Sequence, residues 1–288
     1  MSIDDPMFDG LVGVRMSFDV SRQSAPAGAV IRLWFESAWA ELGGVLKERV
    51  AAGVPDDISV MATTGLEGAD LDDMFFEDDM TRWPEYLDRL SAGTYVGAMF
   101  RVTASEGGSP LPYYRTDDRV VCFMYRTGDV VQLIVESKEK FWYADPAREA
   151  AVAAFLGRMV RSCDVDYAEA SFAYGSIMTC VEEYTGQFWA TAAGTARRQL
   201  RGYAWLTVVP SSLVPQVGGA AGLRSSGAFW AVEELPGGAV LLRATEHFGD
   251  YRDAEAARVL DVLRPVLPSD TPASAFRRKV DIWRRRAV

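Results

Sequence analysis

Histidine is nearly missing from this 288-residue chain: His247 is the only one. That scarcity excludes the His-rich zinc and iron sites, because carboxylates or cysteines would have to supply every other ligand. It also confines any Ser-His-Asp chemistry to one position, just after the predicted strand Val240–Thr245, and no G-x-S-x-G elbow accompanies it. The sequence Tyr174-Gly175-Ser176 lacks the following glycine. Cysteine is scarce too. Cys122, Cys163 and Cys180 are odd in number, widely spaced and set in apolar surroundings, which fits buried thiols in a reducing compartment better than disulfides or a metal site. No apolar run approaches the ~18 residues of a membrane helix. The opening MSIDDPMFDG has neither the basic start nor the apolar stretch of a secretory signal, so the expected location is the cytoplasm and no membrane partner is expected.

Phosphate-binding glycine loops are absent as well. Gly218-Gly219-Ala220-Ala221-Gly222 follows a short helical segment without the strand that leads into a dinucleotide loop. No P-loop lysine follows any glycine cluster, and Gly237-Gly238 reads as a hairpin turn. The sequence therefore offers no catalytic residues, no metal site and no cofactor.

Apolar and aromatic residues are present in quantity. Hydrophobic residues make up 49% of the chain, with eight Trp, fourteen Phe and eleven Tyr, enough to pack a substantial core. Charge is distributed unevenly. The first 100 residues carry eighteen Asp and Glu against seven Lys and Arg, a balance of −11, and the other 188 residues balance to +1. Half of that acidity falls between Glu67 and Asp88. Acidity this local is either a solvated loop or a surface for a basic partner. Asp72-Asp73 and Asp78-Asp79 could in principle gather around a hard cation. Met74, Phe75 and Phe76 interrupt them, however, and no turn glycine completes an EF-hand spacing. The docking reading takes Asp70, Asp72, Asp73, Glu77, Asp78 and Asp79 as a charged rim and Phe75 and Phe76 as exposed apolar anchors. The basic C-terminal residues Arg277, Arg278, Lys279 and Arg284–Arg286 read as a solvated face or a complement to the acidic region. Nucleic acid is not an expected partner, because the rest of the chain repels phosphate.

Periodicity predicts α+β architecture: two successive α/β sandwich-like units, with mixed or antiparallel sheets covered by helices on one face. Residues 1–105 read as an acidic β-α-β-α-β unit, with strands from Leu11, Ile58 and Thr94 and helices opening near Pro26 and Trp83. The first helix is expected to run to Gly53. Glu106–Tyr113, with Gly107, Gly108, Pro110 and Pro112, is the expected linker. Residues 114–288 form the second unit, with a hairpin around Thr127-Gly128-Asp129, a helix capped by Asp145-Pro146, and a strand through Tyr167. The span Ser176–Arg198 is ambiguous. A strand over Gly202–Val209, a helix closing in Gly218-Gly219, a hairpin across Pro236-Gly237-Gly238 and a helix over Ala254–Leu267 follow.

The block from Gly202 to Gly219 (GYAWLTVVPSSLVPQVGG) has a distinctive cadence, in which an aromatic strand leads into a short helix closing in Gly-Gly. Phe229–Leu235, Pro236-Gly237-Gly238, a strand ending Ala244-Thr245-Glu246 and a closing helix with Pro265 and Pro268 complete it. This block resembles bacterial immunity proteins of polymorphic and type VI toxin systems, most strongly over residues 202–268 and more loosely over 118–200. The resemblance implies an α+β protein that binds a cognate, basic toxin in the cytoplasm and blocks it. It supplies no catalytic residues.

Two other readings remain open from the sequence. One is a small-molecule-binding protein or His-independent enzyme of specialised metabolism, with Trp142-Tyr143 or Phe188-Trp189 lining a pocket and Tyr113, Tyr114, Arg115, Glu182, Glu183 and Tyr184 as polar candidates. The other is a scaffold subunit that forms homo-oligomers through Phe75 and Phe76.

Overall fold

A computed structural model describes residues 11–53, 58–65, 73–77, 80–92, 95–104, 118–138, 142–143, 145–172, 177–272 and 275. Among them are ten strands and eight α-helices, an α+β architecture in which every strand pairing given below is antiparallel. The chain divides into two compact units: Met1–Gly13 with Val20–Phe155, and Val14–Asp19 with Leu156–Val288. The division runs through the strand Leu11–Asp19 and through the helix Pro146–Met159. The strands flanking residues 105–117 pair with each other over eight positions, from Gly97↔Tyr125 to Ala104↔Asp118, so both belong to one sheet.

In the first unit, strands β2 (Ile58–Gly65), β3 (Asp73–Glu77), β4 (Gly97–Ala104), β5 (Asp118–Thr127) and β6 (Val130–Lys138) lie in the order β3-β2-β4-β5-β6. The hairpin β5–β6 closes from Thr127↔Val130 through Gly128 at φ +58°, a left-handed conformation that glycine adopts without steric cost. Helices α1 (Ala27–Leu42), α2 (Gly44–Ala51) and α3 (Trp83–Ser91) complete most of the unit. One continuous helix to Gly53 was expected. It breaks instead at Gly43-Gly44, where Gly44 takes φ +49°. α1 buries Val30, Ile31, Trp34, Phe35, Ala38, Trp39 and Leu42 at three- and four-residue steps. Its aromatic rings meet neighbours edge-on, Trp39 on Phe100 at 5.5 Å and Phe35 on Tyr86 at 6.0 Å.

Helix α4 (Pro146–Met159) opens where Asp145 Oδ1 accepts from the Ala147 N–H at 2.7 Å, as the Asp-Pro pair predicts. Its last four residues belong to the second unit.

In the second unit, the Val14–Asp19 part of β1 (Leu11–Asp19), β7 (Tyr167–Phe172), β8 (Leu206–Val209), β9 (Ala231–Glu234) and β10 (Val240–Arg243) lie in the order β1-β7-β8-β10-β9. The ambiguous span resolves into α5 (Cys180–Thr185) and α6 (Trp189–Thr195). The helix expected to end at Gly218-Gly219 is a 3-10 turn over Val214–Val217, and Gly219 instead begins α7 (Gly219–Ser225). Helix α8 (Asp253–Leu263) buries Ala256, Val259, Leu260 and Leu263 on its apolar stripe.

Candidate functional site

The acidic stretch contains a strand that the sequence did not announce. Residues 73–77 form β3, which pairs with β2, and the register skips one residue: Ala62 faces Phe76, Thr63 faces Met74, and Phe75 faces no residue. Phe75 is thus the extra residue of a β-bulge. In a regular strand Phe75 and Phe76 would point to opposite faces. The bulge brings both inward, and they are only 5% and 6% exposed. The expectation that they stand exposed as anchors is therefore corrected. Their rings lie 5.6 and 5.9 Å from the ring of Tyr86, whose hydroxyl donates to the Met99 carbonyl at 2.9 Å. Trp83 completes the cluster, 4.3 Å from Phe100.

Asp73 and Glu77 are the first and last residues of this strand. Asp70, Asp72, Asp78 and Asp79 lie outside the described residues. Next to β3, the guanidinium groups of Arg82 and Arg89 stand 4.2 and 4.4 Å from the centre of the Phe75 ring, within cation–π range. Glu85 joins them, accepting from Arg82 Nε at 3.0 Å and Arg89 Nη2 at 3.5 Å. Arg82 holds the exposed Glu85 carboxyl below its usual range through these hydrogen bonds. Arg32 pairs with Asp88, tying α1 to α3.

The sequence reading missed a buried ionic network in the second unit. Glu182 Oε1 accepts from Arg201 Nε at 2.6 Å, and each of these side chains is 1% exposed. The other Glu182 oxygen accepts from the Thr179 N–H at 2.8 Å, and Thr179 Oγ1 accepts from the Glu182 N–H, a complete capping box at the start of α5. Arg201 Nη1 donates to Ser17 Oγ at 2.9 Å. Two residues before Ser17 on β1, Arg15 Nη1 lies 3.2 Å from Glu169, which also accepts from the Tyr167 hydroxyl at 2.7 Å. Burial lifts the Tyr167 phenol well above its ordinary 10, and the Glu169 carboxylate adds to the shift. The signal for part of this network was legible: Thr179-Cys180-Val181-Glu182 matches the S/T-x-x-E capping pattern.

This geometry bears on the pocket candidates. Glu182 and Arg201 line a small recess with room for about one water molecule, with Gln187, Thr195 and Gln199 beside them. Both Glu182 oxygens accept hydrogen bonds from within the protein. Trp142 is buried, its Nε1 directed at the Leu42 carbonyl at 3.4 Å, and Trp189 is buried while Phe188 is 57% exposed. His247 is exposed, and its carbonyl accepts from Thr245 Oγ1 at 2.6 Å. Tyr113, Tyr114, Arg115 and the basic residues beyond 275 lie outside the described residues. None of the three cysteines is in a disulfide; Cys122 and Cys180 are buried and Cys163 is half-buried. Among the described residues, no three His, Cys, Asp or Glu side chains stand together as a metal site, and no helix is long and apolar enough to cross a membrane.

No family model, curated protein or solved structure matches the chain.

Proposed function

We propose that this chain is an immunity-type protein that binds a basic bacterial toxin in the cytoplasm and neutralises it by covering its working surface. The observation that carries this reading is the placement of β3 within the acidic segment. Asp73 and Glu77 bound a five-residue strand whose middle is buried against Tyr86, and Asp70, Asp72, Asp78 and Asp79 flank it in sequence. Electrostatic recognition works through clustered charge of one sign, and Asp70, Asp72, Asp73, Glu77, Asp78 and Asp79 supply six carboxylates within ten residues. Phe75 and Phe76 then act as the foundation of the surface rather than as its contact.

The partner to test is the product of the adjacent reading frame, where the immunity reading expects a basic toxin domain. Lysine at Asp72, Asp73, Asp78 and Asp79 together should slow association with it about 10- to 1,000-fold at low ionic strength, with little change in dissociation. Wild-type protein that neither binds this domain nor protects cells from it would rule out the immunity reading. An unchanged on-rate and unchanged protection in the quadruple variant would rule out the acidic segment as the contact.

A further inference from the structure

In the second unit the Val14–Asp19 part of β1 lies beside β7, and the Asp166 N–H donates to the Ser17 carbonyl at 2.9 Å. Side chains alternate along such a strand. Val12, Val14, Met16 and Phe18 share one face, and each is 0% exposed. A slip of one residue would turn this apolar set outward. A slip of two would carry it onto itself, because all four are apolar at a spacing of two, and the main-chain ladder repeats at the same interval. Hydrophobic patterning alone therefore leaves the two-residue slip open.

The opposite face does not repeat: it reads Gly13, Arg15, Ser17, Asp19. Arg15 and Ser17 are 3% and 1% exposed, and each meets a different charge. Arg15 Nη1 lies 3.2 Å from Glu169, whereas Ser17 Oγ accepts from Arg201, which is itself paired with Glu182. A slip in one direction would set Gly13 against Glu169 and Arg15 against Arg201, a carboxylate without its cation and two guanidinium groups together. The other direction would set Ser17 against Glu169 and carry Arg15 away from it. Either way buried charge loses its partner, which holds a slipped register below about one molecule in a hundred.

We infer that the buried Arg15–Glu169 pair, supported by Ser17 on the Arg201–Glu182 pair, sets the register in which β1 enters the second unit. Its contribution is the choice of one strand alignment among those that bury the same apolar face.

Cys163 reports this register, because its Sγ lies 3.8 Å from the Met16 sulfur. In the full chain, M16C should cross-link to Cys163 in the observed register, and V14C or F18C only after a two-residue slip. Each is placed in the wild type, in R15M/E169L and in R15M/E169L/E182L/R201M, refolded from urea and treated with a short thiol-to-thiol linker. Mass spectrometry of the linked peptides then counts the registers. The wild type should link through M16C, with the V14C and F18C products below about one molecule in a hundred. R15M/E169L should raise those products about tenfold or more, and the quadruple variant should raise them further. Folded variants that link through M16C alone would overturn the inference, as would V14C or F18C linking in the wild type as readily as M16C. If the quadruple variant does not fold, R15M/E169L decides alone. If neither folds, the pairs hold the fold itself rather than its register, and the inference fails. Because the linkage forms within one chain, the result is independent of whether a toxin binds.

Discussion

Glu182 illustrates, at the scale of one residue, how a buried charge is made tolerable. Desolvating a carboxylate costs several kcal/mol, and here a guanidinium, a main-chain N–H and its own helix cap offset that cost together. Removing one partner leaves the other charge buried and unpaired. Glu182→Ala should therefore destabilise the second unit by about 3–5 kcal/mol, whereas the double change Glu182→Leu with Arg201→Met should restore most of that loss. Urea denaturation of the full-length variants reads both. Phe76→Ala in the first unit should cost about 3–5 kcal/mol of stability through the cavity it leaves. Because Phe76 is buried, the same change should leave the toxin on-rate intact at temperatures where the protein stays folded. A Phe76→Ala variant with native stability and slowed association would return this ring to the contact surface.

Among elements, the pairing of α1 and α3 depends on the smallest side chain available. A Cβ built on Gly28 would sit 2.0 Å from the Ser91 carbonyl oxygen, far inside contact distance, so the helices approach this closely only because residue 28 has none. Gly28→Ala should destabilise the first unit by about 1–3 kcal/mol despite alanine's better helix propensity, and chemical denaturation would show the sign. Sequence alone located most elements, because strand alternation around Val12–Phe18, the Asp145-Pro146 cap and the stripe through Leu260 and Leu263 are local signals. It failed where the deciding interaction was distant. β3 lies among carboxylates that favour solvent, and only pairing with β2 and packing on Tyr86 make it a strand. Its two adjacent phenylalanines share one buried side only through the bulge, which leaves no mark in composition. The ionic network escaped notice for the same reason, since Arg15, Glu169 and Arg201 come together only in the folded second unit.

For the whole molecule, the same burial that shapes each core sets a common alkaline limit. Only four of the thirty basic residues are lysines, so most positive charge persists well above pH 10, where arginine remains protonated. Alkaline stability is then governed by the buried phenols and thiols. In the first unit, burial lifts Tyr86 well above its ordinary 10 and raises Tyr125 to about 12, with Glu136 adding to the second. In the second, burial lifts Tyr167 and Tyr251 well above that value and carries the half-buried Cys163 to about 12, the neighbouring Asp164 and Asp166 adding to it. Each folded-state value lies above its unfolded counterpart, so the neutral form is favoured on folding. The corresponding stability is fully present below about pH 8, where unfolded thiols begin to ionise, and is lost as pH rises through 10 toward 12. Both units should therefore weaken over the same window, although their charge balances differ. Denaturation midpoints measured from pH 7 to 12 should stay level at first and then fall, with buried-tyrosine ionisation, read by tyrosinate absorbance, appearing only as the chain unfolds. Tyr167→Phe should flatten the fall in the second unit, because one of the two phenols lifted by burial there is gone. A midpoint constant to pH 12, or full tyrosinate absorbance from protein that is still folded, would show that these hydroxyls titrate freely.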